Sequence, residues 1–134
     1  MGVSYLWDTN IVIYFLQNQL SLSAGKFIAQ SLKKHTPSIS VITEIELLCW
    51  KTGSKKDHLV LQEFIDSIQV IELNQNIKLK TAEIRKNHKV KMPDAVIAAT
   101  AITYGLSLLT RNVDDFKKID NLDIINPFDA NVPY

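Results

Sequence analysis

Pro93-Asp94-Ala95-Val96-Ile97-Ala98-Ala99-Thr100-Ala101-Ile102-Thr103-Tyr104-Gly105-Leu106-Ser107-Leu108-Leu109 reads as one helix running into one strand. Pro93 suits a first helical turn, where its fixed φ is pre-organised and its missing N–H is no loss. Ala95, Val96, Ala98, Ala99 and Ile102 make a small apolar surface fit for close packing, and Gly105 supplies the stop. Residues 106–109 form a short apolar run beyond that stop, the signature of a buried strand. Helix into buried strand is the unit of an α/β sheet, and the same alternation extends outward in both directions.

Toward the N-terminus, residues 3–7 are a β-forming apolar run, followed by the capping residues Asp8-Thr9-Asn10 and a helical pattern of Ile11, Ile13, Tyr14 and Leu16. Residues 23–34 place Ala24, Phe27, Ile28 and Leu32 on one helical face, and His35-Thr36-Pro37 breaks it. Residues 38–41 read as the second strand. Thr43-Glu44-Ile45-Glu46 fits a capping box with Thr43 as cap and Glu46 in the first turn, predicting a helix to about 51 that stops at Gly53. Leu59, Leu61, Phe64, Ile65 and Ile68 mark another helix, 70–73 a third strand and 77–87 a basic helix. After the fourth strand at 106–109 come a short helix at 113–118 and a fifth strand at 123–125. The expected architecture is a mostly parallel central sheet of about 4–5 strands with helices on both faces. With no repeat, linker or low-complexity tract, residues 1–134 read as a single domain.

Composition narrows the function classes. The 134 residues are 46% hydrophobic and 22% charged, with 15 Lys+Arg against 14 Asp+Glu, a near-neutral balance typical of globular chains. The single cysteine, Cys49, excludes an internal disulfide framework and a Cys-rich zinc site, and His35, His58 and His88 form no helical ligand pair. No apolar run is long enough for a membrane span and no signal-peptide pattern opens the chain, so a cytoplasmic location is expected. Charge is uneven along the sequence. Lys78, Lys80, Arg85, Lys86, Lys89 and Lys91 face only Glu83 within 78–91, whereas Asp114, Asp115, Asp120, Asp123 and Asp129 crowd the C-terminal end. The basic run reads either as a solvated helix face or as a rim that attracts phosphate.

Acidic and polar residues fall at separate strand-to-helix junctions: Asp8 after the first strand, Glu46 after the second, Asp94 opening the Ala-rich helix, and Asn112, Asp114 and Asp115 after the fourth. Each has a local structural use: Asp8 as an N-cap, Glu46 in a capping box, Asp94 against a helix dipole, Asn112 as a cap. In a parallel sheet such junctions share one edge, where ligands collect. Carboxylates brought together there repel one another unless a cation neutralises them. An all-oxygen donor set suits Mg²⁺ or Mn²⁺, the ions of phosphoryl-transfer sites. The hydroxyls of Thr9 and Thr110 are candidates to hold the carboxylates or water.

These stretches carry a resemblance. Leu6-Trp7-Asp8-Thr9-Asn10 resembles the first motif of PIN-domain ribonucleases, most closely the VapC-type toxins of toxin–antitoxin pairs. Ser40-Val41-Ile42-Thr43-Glu44-Ile45-Glu46-Leu47 resembles the second, which assigns Glu46 rather than Glu44. Met92-Pro93-Asp94-Ala95-Val96-Ile97-Ala98-Ala99 resembles the third and Thr110-Arg111-Asn112-Val113-Asp114-Asp115-Phe116 the fourth. Many family members carry Asp where this chain has Asn112, which leaves Asp115 as the nearest compensating carboxylate. The resemblance implies an Mg²⁺- or Mn²⁺-dependent endoribonuclease with Asp8, Asp94 and Glu46 on the metal and Asn112 and Asp115 completing the ring. It implies tRNA or another structured RNA as substrate, an antitoxin partner and a homodimer. Lys86, Lys89, Lys91 and Arg111 are the expected RNA-binding rim. Tyr14, Phe15, Leu20, Leu22 and Trp50 are apolar candidates either for partner surfaces or for core.

Two other readings stand beside it. A haloacid-dehalogenase-type phosphatase would use Asp8 as nucleophile, but expects a second acid where this chain has Asn10. A catalytically silent module would bind RNA or protein without cutting.

Overall fold

The structure, a computed structural model, describes residues 4–51 and 54–129. Its five strands are β1 (Tyr5–Trp7), β2 (Ser38–Ser40), β3 (Gln69–Ile71), β4 (Ser107–Leu109) and β5 (Ile124–Ile125). They form one sheet in the order β3-β2-β1-β4-β5, with every neighbouring pair parallel. The α/β architecture expected from sequence is therefore present.

The helices are α1 (Thr9–Leu16), α2 (Leu22–Lys34), α3 (Val41–Leu48), α4 (Lys55–Ser67), α5 (Gln75–Asn87), α6 (Met92–Tyr104) and α7 (Val113–Phe116). Strand alternation divides the core into two layers, because successive side chains point to opposite faces. Leu6 and Leu108 go to one face with Ile77, Ile84, Ala95, Ala98, Ala99 and Phe116. Trp7 and Leu109 go to the other with Ile11, Phe27, Ile39, Leu47 and Phe64. Helices thus cover both faces, as a parallel sheet buried on both sides requires. Gly105 adopts φ +64 at the end of α6, the left-handed stop that its sequence position predicts.

The second junction differs from expectation. The hydroxyl of Ser40, not of Thr43, caps α3, accepting from the backbone N–H of Ile42 and Thr43. The helix starts at Val41, so Thr43 lies fully buried inside it and Glu46 sits in its second turn, free of any capping box. Ser40 wins because it is the last strand residue and its extended backbone points Oγ at the open N–H groups. α3 ends at Leu48, short of the expected 51, and Gly53 lies outside the described residues, as does Val3 of the expected first strand. Asn112 precedes α7 but makes no side-chain cap bond.

Of the apolar surface candidates, Leu22 stays 78% exposed. Phe15, Leu20 and Trp50 pack against the core instead. Phe15 stacks edge-on to Trp7 at 5.5 Å and lies 5.8 Å from Phe64, which fixes it inward. Among the described residues no helix is long and apolar enough to cross a membrane.

Candidate active site

The strand order places β1 between β2, reached by one crossover, and β4, reached by another on the opposite side. That reversal is the topological switch point of a parallel sheet, and its crevice lies beyond the carboxyl ends of the strands. Residue 8 leaves β1 there and residue 110 leaves β4, with Asp8 N–H still bonded to the Leu109 carbonyl at 2.9 Å.

Asp8 is buried, and both of its oxygens are engaged. Oδ1 accepts from its neighbour's backbone N–H at 2.8 Å, which makes Asp8 the N-cap of α1. Oδ2 accepts from Asn10 Nδ2 at 3.0 Å and from Thr110 Oγ1 at 2.7 Å. Asn10 reaches further: its Oδ1 accepts from the Arg111 backbone N–H at 3.3 Å. The Asn112 N–H closes the fourth segment onto Thr110 Oγ1 at 3.0 Å. The capping use of Asp8 is real, then, but it occupies one oxygen and leaves the other to a network between β1 and β4.

A second network joins α1 to α3. Thr9 donates its hydroxyl to Glu46 Oε1 at 2.6 Å, and the Thr9 and Thr43 hydroxyls lie 3.1 Å apart. Glu44, by contrast, occupies the first turn of α3. Thr43 is a part of this arrangement that reading it as a cap concealed, and Asn10 is a second. Both are ordinary turn and cap residues by type, so only the fold reveals what they touch.

The carboxylates act on one another. Burial pushes the Asp8 carboxyl above its usual range, hydrogen bonds from Thr110, Thr9 and Asn10 pull against it, and the charge of Glu46 adds to the rise. Asp94, in the first turn of α6, is pushed up to about 6. Partial burial is the largest cause, followed by the negative charges of Asp8, Asp115 and Glu46, while Lys91 opposes them. The charges of three acids from three other chain segments thus reach Asp94. Asn112 and Asp115 are exposed, and the Asp115 N–H bonds to the Asn112 carbonyl at 3.1 Å.

As the side chains stand, no three Asp, Glu, His or Cys among the described residues are gathered closely enough to grip a single ion. Glu46 is held by Thr9, and Asp8 by Thr110 and Asn10. The donors that share the field are all oxygen, and their mutual repulsion is of the kind a hard divalent cation relieves.

The expected basic rim divides. Lys91 lies near enough to counter the charge on Asp94. Lys86 and Lys89 are exposed at the end of α5 and in the loop beyond it. Arg111 follows Thr110 directly and lies over the rings of Tyr14 and Phe128, 5.2 and 4.4 Å from their centroids. The dehalogenase-like use of Asp8 as a nucleophile finds no support in a carboxylate this buried and this fully hydrogen-bonded.

Residues 5–122 match the PIN domain family model. The ribonuclease VapC1 of Rickettsia felis is 62% identical over 127 residues, covering 88% of this chain and 92% of that protein. The tRNA(fMet)-specific endonuclease VapC of Salmonella typhimurium is 26% identical, covering 91% and 96%. Among solved structures, a VapBC2 complex from Rickettsia felis bound to a promoter DNA fragment matches with TM-score 0.79 and 25% identity, over 92% of this chain and 98% of that one. The chain belongs to the PIN-domain family, in the branch of the VapC ribonucleases.

Proposed function

We propose that this chain is an endoribonuclease that hydrolyses phosphodiester bonds in RNA and is the toxin of a toxin–antitoxin pair. One observation carries the reading: Asp94 is raised to about 6 by Asp8, Asp115 and Glu46 as well as by burial, which marks one acidic focus at the switch point of the sheet. The 62% identity to a protein named a ribonuclease supplies the reaction class.

Asp8, Asp94 and Glu46 would hold Mg²⁺ or Mn²⁺, which when bound supplies charge neutralisation and polarises water and phosphate. The chain's own residues do the rest. Thr110 and Asn10 fix the orientation of Asp8, and Thr9 fixes Glu46. Glu46 would take the proton of the attacking water. Asn112 and Asp115 would position that water at the outer side of the focus. Lys91 favours the ionised form of Asp94 and, with Lys86, Lys89 and Arg111, would offset repulsion of the RNA backbone.

The substrate proposed is an unpaired loop of a structured RNA such as tRNA, since unpaired backbone is accessible and its bases can splay. The Salmonella relative named for tRNA(fMet) supports that choice. A cognate antitoxin is the proposed partner, supported by the VapBC assembly among the structural relatives. We further propose one catalytic domain per chain, a homodimer and a cytoplasmic location.

Purified protein incubated with total RNA and Mg²⁺ or Mn²⁺, followed by sequencing of the cut ends, tests the reading. Defined cut sites that vanish in Asp8→Ala, in Asp94→Asn and with chelator are expected. Cleavage unchanged in the Asp8→Ala/Asp94→Asn double variant would overturn the site, and RNA binding without any cut would make the chain a silent binding module.

A further inference from the structure

Arg111 differs from the other basic residues near the site. Lys86, Lys89 and Lys91 are exposed and carry their charge on flexible stems; Arg111 is exposed too, but its guanidinium lies over two rings, 5.2 Å from the centroid of Tyr14 and 4.4 Å from that of Phe128. The rings themselves lie 5.2 Å apart. A cation–π contact restrains a guanidinium over a ring without using its N–H groups. None of the ion pairs among the described residues uses Arg111.

Its backbone is fixed as well. The Arg111 N–H is bonded to Asn10 Oδ1, and Asn10 Nδ2 is bonded to Asp8 Oδ2. The Arg111 backbone is therefore tied to Asp8 through one side chain. Arg111 also lines an open cleft of about 340 Å³ whose wall includes Asp115 and Asn126. A cation immobilised at the mouth of such a cleft, beside a carboxylate that Asp94 feels, is placed to bind an anion arriving at the site.

We infer that Arg111, resting on the adjoining rings of Tyr14 and Phe128, is the positioned phosphate-binding group of this site and grips a phosphodiester of the RNA beside the one that is cut. The inference rests on the ribonuclease reading above. Phe128 enters the site from beyond the stretch that matches the PIN family model, as one of the two rings that carry the guanidinium. Arginine suits the task because its planar fork binds phosphate oxygens in pairs, and a fork already resting on two rings loses less freedom on binding.

The test uses the full chain and a single-stranded RNA oligonucleotide spanning a cut site of the wild type. Arg111→Gln is expected to raise KM about tenfold, the cost of one charge-assisted hydrogen bond, with kcat within about threefold. In a non-cleaving Asp94→Asn background, Arg111→Gln should lower the slope of log Kd against log salt by about 0.7, one phosphate contact on a single strand. Arg111→Lys should keep that slope but raise KM several-fold, since an ammonium does not stack. Phe128→Leu should raise KM with the slope unchanged. A wild-type KM and salt slope in Arg111→Gln, or a loss confined to kcat, would overturn the inference. So would an altered choice of cut site with an unchanged slope, which would make Arg111 a reader of bases. Should Arg111→Gln fail to fold, Arg111→Lys decides, and a wild-type KM there overturns the inference. A wild type that neither cuts nor binds the oligonucleotide removes the ribonuclease reading itself, and this inference with it.

Discussion

Thr110 donates its hydroxyl to Asp8 Oδ2 at 2.7 Å, tying the end of β4 to the end of β1 across 102 positions of sequence. The bond is buried and supports the ionised form of a carboxylate that burial otherwise pushes toward protonation. Thr110→Val keeps the shape and removes the donor. It is expected to cost about 1.5–3 kcal/mol of stability near pH 7, the range for a hydrogen bond to a charged group. RNA cleavage should fall as well, while Thr110→Ser retains most of both. Urea unfolding and a cleavage assay on the three proteins check this.

Asp94 carries the opposite sign. Its folded pKa of about 6 lies above its ordinary value of 3.8, so the folded chain holds an extra proton between those limits. Stability from this group is highest below pH 4 and is lost as pH rises through about 6. Asp94→Asn removes the penalty. Because Asp94 is half exposed, solvent screening trims the effect to the order of 1 kcal/mol at pH 7.5, and loss of its favourable place in the first turn of α6 trims it further. The variant should be inactive yet more stable than wild type at pH 7.5 in chelator, with the difference closing by pH 4. Denaturant midpoints across that range decide it.

Glu46 and Glu44 separate cleanly in the structure. Glu46 receives the Thr9 hydroxyl at 2.6 Å, whereas Glu44 occupies the first turn of α3. Glu46→Ala is expected to lower kcat by at least about a hundredfold, the usual cost of losing a general base, and Glu44→Ala by no more than a few-fold. The reverse order in single-turnover rates would mean that the acid of the second motif is Glu44.

Divalent ions should relieve the repulsion within the cluster and stabilise the fold by mass action. Mg²⁺ or Mn²⁺ is expected to raise the Tm of the wild type in a concentration-dependent way. The rise should disappear in Asp8→Asn/Asp94→Asn, and chelator should reverse it in the wild type. A Tm indifferent to both ions would argue against the metal assignment.

Most of the fold was legible because its signals are local. Pro93 and Gly105 bracket α6, the apolar runs mark the strands, and each strand boundary falls within two residues of its expected place among the described residues. The failure at the second junction was also local. Ser40 and Thr43 are both good caps by type, and which one is used depends on where the strand stops, a matter decided by pairing of β2 with β1 and β3. That Asp8, Glu46 and Asp94 fall at one edge of the sheet followed from topology, since parallel strands put their junctions there, although the three are not drawn into one ion-gripping cluster among the described residues. The bonds from Asn10 to the Arg111 backbone and from Thr9 to Thr43, and the contact of Arg111 with two rings, were not legible. They join residues far apart in sequence, and nothing in Tyr14 or Phe128 as isolated letters distinguishes a ring that carries an arginine from one that fills a core.

One neighbour of β1 in the sheet is β4, whose pairing joins Trp7 to Leu109. On the proposed function, a nascent chain that has not yet extended past Thr110 lacks both the strand and the hydroxyl that hold Asp8, so its cutting centre stays unassembled while that segment is inside the ribosome.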